Sequence, residues 1–417
     1  MMSFRAAALF VFIVAVAARC GLVVVRYADE HEGRLEYPDE VAYVTVASSL
    51  AAGGGLVDEF GYRATYMPGY PWFLSLFVSG ATDARGLLCA RLVQALLAAL
   101  VAPGTMLLTR RFLARVDKSG SASRPLRIEE MCAGVIVAVD PFLVFFSGLL
   151  LTESLYAVGL VWAWWFVMAV QADGMKIARI GGVVTAGLLL SMCLLLRPAS
   201  IVVVMGAMCA VLALCRWRAA GFLHAAIIAI TVLCVLFPWA LRNRNLLGEW
   251  VWLTTRGGVS LYDGVRVGAT GASNLAHTKT MAEVEGLSEL AWRDFWRQRA
   301  RDTIRHEPGR IIALAGEKFV RTWSLTPNVA AYHGGVFALI SFAWMSGVLL
   351  LAGVGLWRWR HVVWTCGVLL LPVLLTTLLH MLFVGSVRYR VPVMPMVMVL
   401  SAAGVAALIR ALSTRRS

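Results

Sequence analysis

The sequence predicts an all-α integral membrane protein with about ten transmembrane helices. Of its 417 residues, 60% are hydrophobic, and the mean hydropathy is +0.76. Soluble domains contain about 45 to 50% apolar residues. Several apolar runs approach or exceed the roughly 18 to 20 residues that a helix needs to cross a bilayer. The excess apolar content and the length of these runs therefore indicate a helical bundle in lipid.

The apolar runs also predict where the chain crosses the membrane. We place the spans near residues 4–25, 85–109, 131–149, 154–170, 180–196, 199–215, 221–241, 336–357, 362–383 and 391–410. Alternate connections carry basic clusters, namely Arg110, Arg111, Arg115, Lys118, Arg124 and Arg127, then Lys176 and Arg179, Arg216 and Arg218, Arg358 and Arg360, and Arg415 and Arg416. By the positive-inside rule, these connections and both termini face the cytoplasm. Residues 6–17 could pass for a signal peptide, but the apolar run continues to Val25, which favours an uncleaved first helix.

The first connection, residues 26–84, has the opposite charge character. It holds nine acidic residues against Arg26, Arg34 and Arg63, so we expect it outside the cytoplasm. Within it, the apolar stretch Tyr70–Val78 is only about nine residues long, too short to cross a bilayer. It is predicted to be a re-entrant or interfacial helix.

A second large outer loop is predicted over residues 242–335. Trp292, Phe295, Trp296, Thr303 and Ile304 recur there at helical spacing, opposite Arg293, Arg297, Arg301 and Arg305. This pattern predicts an amphipathic helix suited to lie on the membrane. Glu307-Pro308-Gly309 interrupts it, and a second helix follows over residues 310–323. No internal repeat is visible, so residues 1–417 are expected to form one integral domain.

Charge and cysteine usage exclude several function classes. The formal charge is +14, from 38 Lys and Arg against 24 Asp and Glu, and it lies mostly beside apolar segments. That placement indicates contact with anionic membrane lipids and no nucleic-acid partner. The eight cysteines contain no C-x-x-C pair, and the outer histidines form no ligand pair. No cofactor is predicted, and a divalent metal is unsupported.

Outer acids at two helix starts stand out as candidates for chemistry. Asp39 and Glu40 open a helix in Tyr37-Pro38-Asp39-Glu40, and Glu153 starts another at the outer end of the third span. Acids in the first turn of a helix are favoured by its dipole, which is the purely structural interpretation. Carboxylates at the membrane edge are costly and usually face a cavity. We therefore expect Asp39 and Glu153 to converge.

Arginines on the same side supply the opposite charge. They are Arg63 in the first loop, Arg197 before Pro198, and Arg388 and Arg390 in Arg388-Tyr389-Arg390-Val391-Pro392. A guanidinium group matches phosphate oxygens bidentately and keeps its charge. Each arginine alone could equally contact lipid headgroups or form a structural ion pair. As a set, they indicate a phosphate-bearing ligand.

Several short motifs occur in order along the chain. They are Tyr37-Pro38-Asp39-Glu40, Tyr66-Met67-Pro68-Gly69-Tyr70-Pro71, Leu151-Thr152-Glu153, Leu196-Arg197-Pro198, Pro238-Trp239-Ala240-Leu241-Arg242-Asn243, Gly257-Gly258-Val259-Ser260-Leu261-Tyr262 and Arg388-Tyr389-Arg390-Val391-Pro392. Together they resemble the GT-C superfamily of membrane glycosyltransferases. The resemblance is to the bacterial glycosyltransferase family 39 group, which is related to protein O-mannosyltransferases and the aminoarabinose lipid A transferase.

The resemblance implies an enzyme of the bacterial inner membrane that takes a sugar from a polyprenyl-phosphate donor. Transfer to a glycan, lipid or protein acceptor would occur on the periplasmic face. Asp39 would act in catalysis, as the general base in our hypothesis, with Glu153 as second acid and Glu40 beside it. Inversion at the anomeric carbon would follow from that geometry. The candidate phosphate contacts are Arg63, Arg197, Arg388 and Arg390. The motif tyrosines expected in the substrate pocket are Tyr37, Tyr66, Tyr70 and Tyr262.

One departure from the family pattern concerns the donor phosphate. The aminoarabinose enzymes carry a lysine just before their paired prolines, whereas this chain has Thr65-Tyr66-Met67-Pro68-Gly69. That contact is either missing or supplied by Arg63. The main rival function is a transporter or lipid flippase, which would more often show paired halves or broken helices. A nucleotide-sugar synthase fits less well, because its donor is cytoplasmic and both acids are expected outside.

Overall fold

The structure, a computed structural model, describes residues 2–28, 34–80, 83–117, 125–170, 177–275, 282–329 and 334–414. Within these ranges the chain is helical and contains no strand. The helices are α1 (Phe4–Tyr27), α2 (Pro38–Ala51), α3 (Gly69–Ser75), α4 (Ala84–Ala98), α5 (Val101–Val116), α6 (Ile128–Val139), α7 (Pro141–Ser147), α8 (Glu153–Val167), α9 (Ile177–Leu196), α10 (Ile201–Leu214), α11 (Ala219–Leu247), α12 (Gly257–Val265), α13 (Glu289–His306), α14 (Pro308–Thr322), α15 (Gly335–Arg358), α16 (Val363–Leu382), α17 (Val387–Arg390) and α18 (Met394–Thr414). The predicted all-α class is confirmed.

The chain is a multi-pass membrane protein. Six helical segments of the described chain are long and apolar enough to cross a bilayer: Phe4–Tyr27, Ala84–Val116, Ala219–Leu247, Gly335–Arg358, Arg360–Leu382 and Val387–Ser413. The pair α6 and α7 adds a seventh if it is one span bent by 48°. The predicted spans near 154–170, 180–196 and 199–215 are the apolar helices α8, α9 and α10. Ten crossings therefore stay a prediction.

Helix α1 shows how the membrane segments divide between protein and lipid. Ala7, Val11 and Ala15 recur every fourth residue and are fully buried, whereas Phe10 and Ile13 are exposed. Residues four apart share one face of a helix. One stripe of α1 therefore packs in the bundle and the other is left for lipid.

Helix α3 does not cross the membrane. Its seven residues span about 10 Å at the usual rise per residue, a third of the hydrocarbon thickness. A Cβ on Gly69 would lie 2.8 Å from the carbonyl oxygen of Leu195, so the start of α3 packs directly on the outer end of α9. The expectation that residues 70–78 fall short of a span is confirmed.

The second outer loop contains the two helices predicted for it. Ser288 caps α13 by accepting a hydrogen bond from Ala291 N–H at 3.4 Å, and Pro308 occupies the first turn of α14. Proline is favoured at that position because its missing N–H has no partner within the helix. Trp296 is fully buried, with its ring centroid 5.1 Å from that of Tyr262 in α12. This part of the apolar face of α13 is therefore covered by protein and not by lipid.

Helices α15 and α18 approach each other closely through two glycines. A Cβ on Gly355 would lie 2.0 Å from the carbonyl oxygen of Leu400, and one on Gly404 would lie 2.1 Å from that of Leu351. Ser401 Oγ also donates a hydrogen bond to Val348 O at 2.8 Å. Small residues allow such backbone contact between membrane helices. These contacts hold α18, the helix that follows α17 in the chain, against α15.

We expect Gly355→Ala to separate α15 from α18 and to lower the free energy of unfolding by about 1 to 3 kcal/mol, as overpacking does. The measurement is thermal unfolding of the purified protein in neutral detergent. Gly353→Ala is the control, because a Cβ at Gly353 meets nothing within 4 Å. Equal melting temperatures for the two variants would contradict the proposed backbone contact.

Candidate functional site

The start of α2 is held by Glu40. Its carboxylate accepts hydrogen bonds from the N–H groups of Glu36 at 2.7 Å, Tyr37 at 3.0 Å and Leu150 at 2.8 Å. Arg91 lies 3.5 Å away. Glu40 is fully buried, and these contacts involve main-chain amides and one arginine. The structure therefore places Glu40 as an anchor between the first outer loop and the turn before α8.

Asp39 precedes Glu40 and lies about 100° around the helix from it. Its side chain is 41% exposed, and its Oδ2 accepts a hydrogen bond from Arg388 Nη1. The same arginine donates through Nε to Glu153 Oε1. Arg197 Nη1 donates to that Glu153 oxygen at 3.1 Å. Asp39, Glu153, Arg197 and Arg388 thus form one charged cluster.

Four separate elements build the charged cluster. Asp39 lies in the first turn of α2, and Glu153 begins α8. Arg197 directly follows α9, and Arg388 lies on the four-residue α17, which Ser386 caps by accepting the N–H of Arg388 at 3.3 Å. The two acids and these outer arginines therefore come together, as the sequence predicts. Each of the four residues lies at or near the end of a helix.

Glu153 is the deepest member of the charged cluster. It is 0% exposed, and both arginines bind its Oε1. Its Oε2 has no hydrogen-bond partner among the described residues. A buried carboxylate oxygen without a donor is costly.

The positive charges around Asp39 set its protonation. Burial raises the pKa of Asp39, while the charge of Arg388, its hydrogen bond, and the charges of Arg256 and Arg197 lower it by more in total. The net pKa lies below the ordinary value. Asp39 is therefore a carboxylate at neutral pH, able to accept a proton.

Sequence reasoning missed Arg256, which stands at the N-terminus of α12. Its Nη1 donates a hydrogen bond to the hydroxyl of Tyr66, and its guanidinium carbon lies 4.9 Å from the centroid of that ring. Tyr43, on α2, packs edge-on against Tyr66 at 5.3 Å. Among the described residues, Arg256 forms no ion pair with a carboxylate.

Glu289 ties the two outer loops together beside Arg256. Its carboxylate accepts hydrogen bonds from Arg63 N–H at 2.6 Å, Ala64 N–H at 2.8 Å and Thr255 Oγ1 at 2.7 Å. Thr255 N–H also donates to Ala64 O at 3.0 Å. Arg256 directly follows Thr255, and Tyr66 lies two residues after Ala64, so the link holds Tyr66 and Arg256 against each other.

A cavity of about 980 Å³ opens beside the charged cluster. Asp39, Arg388 and Tyr37 line it. Much of the rest of its wall is apolar and comes from α1, α7 and α15, with Leu22, Phe142, Val144, Phe145, Phe337 and Ile340. Phe337 and Ile340 lie on a helix that can span the membrane and are themselves exposed. The cavity thus joins a polar end at the cluster to an apolar end at the lipid face.

The remaining predicted residues lie elsewhere. Arg63 has an exposed side chain and meets Glu289 only through its backbone. Arg390 is buried and donates to Thr322 O at 3.1 Å. Tyr70 is buried and donates to Gln94 Oε1 at 2.7 Å, while Tyr262 packs on Trp296. None of these contacts reaches the charged cluster, and the assignment of these residues to the substrate site stays a prediction.

The described part of the chain has no group of three or more His, Cys, Asp or Glu residues that could hold a metal ion. The charges that lower the pKa of Asp39 are those of the arginines Arg388, Arg256 and Arg197.

The fold resembles that of solved oligosaccharyltransferases. The archaeal oligosaccharyltransferase AglB from Archaeoglobus fulgidus, in complex with an inhibitory peptide and a dolichol-phosphate, matches 99% of this chain with a TM-score of 0.59 at 14% identity. The apo form of the Archaeoglobus fulgidus enzyme matches 99% with a TM-score of 0.57 at 15% identity. The chain has the GT-C fold. It spans about half the length of these enzymes, 51% and 52% respectively.

A lower similarity links the chain to ArnT from Cupriavidus metallidurans bound to undecaprenyl phosphate. It covers 96% of this chain and 77% of that one, with a TM-score of 0.42 at 15% identity, which is too low to support an argument. No protein-family model and no curated protein matches the sequence. Membership of family 39 stays a prediction.

Proposed function

We propose that the chain is an integral-membrane glycosyltransferase that uses a polyprenyl-phosphate-linked sugar and acts on the periplasmic face of a bacterial inner membrane. The observation that carries the proposal is the charged cluster at one end of an apolar cavity. Asp39 and Arg388 share that cavity with Phe142 and Phe337. A ligand with an anionic head and a long apolar tail complements both ends. The GT-C fold, shared with an oligosaccharyltransferase complexed with dolichol-phosphate, supports this choice.

Arg388 is the best placed residue to bind the donor phosphate. It donates through Nη1 and Nε, and its Nη2 has no hydrogen-bond partner among the described residues. Arg256 adds a positive charge beside Asp39 without a carboxylate of its own. Arginine binds phosphate through paired N–H groups. Arg197, bound to Glu153, completes the positive side of the site.

Donor binding also prepares the base. Asp39 is paired with Arg388 in the resting site, and a phosphate at Arg388 replaces it as the acceptor. The released carboxylate loses a strong stabilising charge, so its pKa rises towards the range in which it abstracts a proton better. The resting ion pair thus couples the entry of the donor to the activation of Asp39.

The transfer step then follows from these positions. Asp39 takes the proton of an acceptor hydroxyl, whose oxygen forms a bond to the anomeric carbon as the bond from that carbon to the phosphate oxygen breaks. The polyprenyl phosphate leaves with the electron pair, and the arginines stabilise the charge that develops on it. Phosphate is a weak base, so its departure requires no general acid. Attack opposite the leaving group inverts the anomeric centre.

A transporter or lipid flippase for a phosphate-bearing substrate is the alternative function. The break between α6 and α7, with its 48° bend, is the observation that favours it, because transporters use broken helices. Proteoliposomes loaded with a polyprenyl-phosphate sugar separate the two functions. Glycosylated product supports the transferase, and movement of the lipid without product supports the transporter.

Asp39→Asn is expected to lower turnover by roughly 10² or more, the usual effect of removing a positioned base. Binding of undecaprenyl phosphate should be retained, because amide replacement keeps the size of the side chain. Turnover is measured with the purified enzyme and labelled donor, and Asp302→Asn, a charge-matched change on α13, is the control. A fully active Asp39→Asn enzyme would refute the role of this residue.

Arg256→Gln is expected to shift the acid limb of the kcat/KM profile to higher pH. The charge of Arg256 lowers the pKa of Asp39, so its removal raises that pKa, and the base becomes protonated at a higher pH. The measurement compares pH profiles with those of Arg297→Gln, an exposed arginine of α13. An acid limb that stays in place or moves to lower pH would contradict the argument.

A further inference from the structure

The cavity beside the charged cluster is also lined by a basic residue outside that cluster. Arg321, on α14, lines the cavity together with Ser273, Asn274 and Asn328. The charged residues among those lining the cavity are Asp39, Arg321 and Arg388. Arg321 comes from the second outer loop, whereas Asp39 comes from the first. Besides the charged cluster, the cavity therefore has a second polar region, at Arg321, built from another chain segment.

The charges of the two arginines are balanced very differently. Arg388 is held between Asp39 and Glu153. Arg321 donates one weak hydrogen bond, from Nε to Gly385 O at 3.4 Å. Within the described chain no carboxylate lies at ion-pair distance from Arg321, and its two terminal NH₂ groups have no partner. The positive charge of Arg321 is thus left uncompensated inside a cavity with much apolar surface.

The fold packs tightly around the stem of this side chain. Gly271 has a φ of +77°, and a Cβ there would lie 3.1 Å from Arg321 Cδ and 3.2 Å from Lys318 Cγ. Gly385 N–H donates to Gly271 O at 2.8 Å, and a Cβ on Gly385 would lie 2.4 Å from Lys318 O. Two joined loop segments therefore cover α14 at Lys318 and Arg321. This packing holds the Arg321 stem while its terminal groups remain free.

We propose that Arg321 binds an anionic group, a phosphate or carboxylate, of the acceptor, so that the acceptor is an anionic amphiphile. The inference rests on the proposed function, which assigns Arg388 to the donor phosphate. A cavity of about 980 Å³ reaches the upper end of the range of about 300 to 1,000 Å³ for a single small-molecule ligand. Within it, Arg321 offers an anionic acceptor a counter-charge other than Arg388.

The test uses the purified full-length protein in neutral detergent and three lipid probes. Undecaprenyl phosphate reports on the donor region. Phosphatidic acid and diacylglycerol differ by one phosphate and report on the second region, with undecaprenyl phosphate present at saturation. Binding is measured for the wild type, Arg321→Gln, Arg321→Lys and the control Arg301→Gln, which removes an exposed arginine of α13.

We expect the wild type to bind phosphatidic acid at least tenfold more tightly than diacylglycerol. Arg321→Gln should weaken phosphatidic acid binding by about tenfold, the effect of losing a charge-assisted hydrogen bond. Arg321→Lys should retain part of the affinity, and Arg301→Gln all of it. Undecaprenyl phosphate should bind every variant equally well, which also shows that each variant is folded.

Three results would overturn the inference. Phosphatidic acid affinity could be unchanged in Arg321→Gln, or phosphatidic acid could compete with undecaprenyl phosphate for one site. The loss in Arg321→Gln could also fall on undecaprenyl phosphate, which would assign Arg321 to the donor. A wild-type protein that does not bind undecaprenyl phosphate would instead refute the proposed function, and the comparison of phosphatidic acid with diacylglycerol would still decide whether Arg321 binds an anion.

Discussion

Arg388 is shared by two carboxylates, Asp39 and Glu153, and the geometry of the site depends on this sharing. Each acid lies in the first turn of its helix, and the arginine lies on a short helix near the C-terminal end of the chain. A buried carboxylate such as Glu153 must be paired to be tolerated. Removing Arg388 would leave Glu153 paired with Arg197 alone. The pairing therefore joins the first outer loop, the middle of the bundle and the last span at one point.

This arrangement supports the proposal that the site binds a lipid phosphate. The charged cluster contains Arg197 and Arg388, and Arg256 lies beside it. These three positive charges outnumber the two carboxylates of the cluster, so the resting site can still accept negative charge. The apolar wall of the cavity is formed by membrane helices whose outer faces meet lipid. A substrate that enters from the bilayer can therefore place its head at Arg388 without leaving an apolar environment for its tail. Glu289 and the loop contacts keep Arg256 close to the same point.

Much of the fold was predictable from the sequence, because apolar length, proline positions and charge asymmetry act locally. The predicted break at Glu307-Pro308-Gly309 separates α13 from α14, although α14 already begins at Pro308. The run of first-turn acids and span-end arginines pointed to Asp39, Glu153, Arg197 and Arg388. The direction of neighbouring side chains was not predictable. Arg388 and Arg390 are two positions apart, about 200° around a helix, so only one of them faces the cavity. For the same reason Asp39 and Glu40 have different surroundings.

The residues missed from the sequence lie in the long second outer loop. Arg256 is one of many arginines there, and its position directly before the Gly257–Tyr262 motif was the one local signal that could have singled it out. Its place beside Asp39 depends on the link through Glu289, a residue that by sequence is an ordinary helix-start acid. Arg321 is likewise part of an amphipathic helix, and only the tertiary packing of Gly271 and Gly385 shows that it reaches the cavity. Long-range contacts of this kind leave no periodic pattern.

The most direct test of the proposed donor site is an experimental structure of the protein in a lipid nanodisc with undecaprenyl phosphate bound. We expect phosphate oxygens within hydrogen-bonding distance of Arg388, Asp39 released from that arginine, and the isoprenoid chain in the apolar part of the cavity between α7 and α15. A phosphate bound away from Arg388, with the Asp39–Arg388 pair intact, would contradict it.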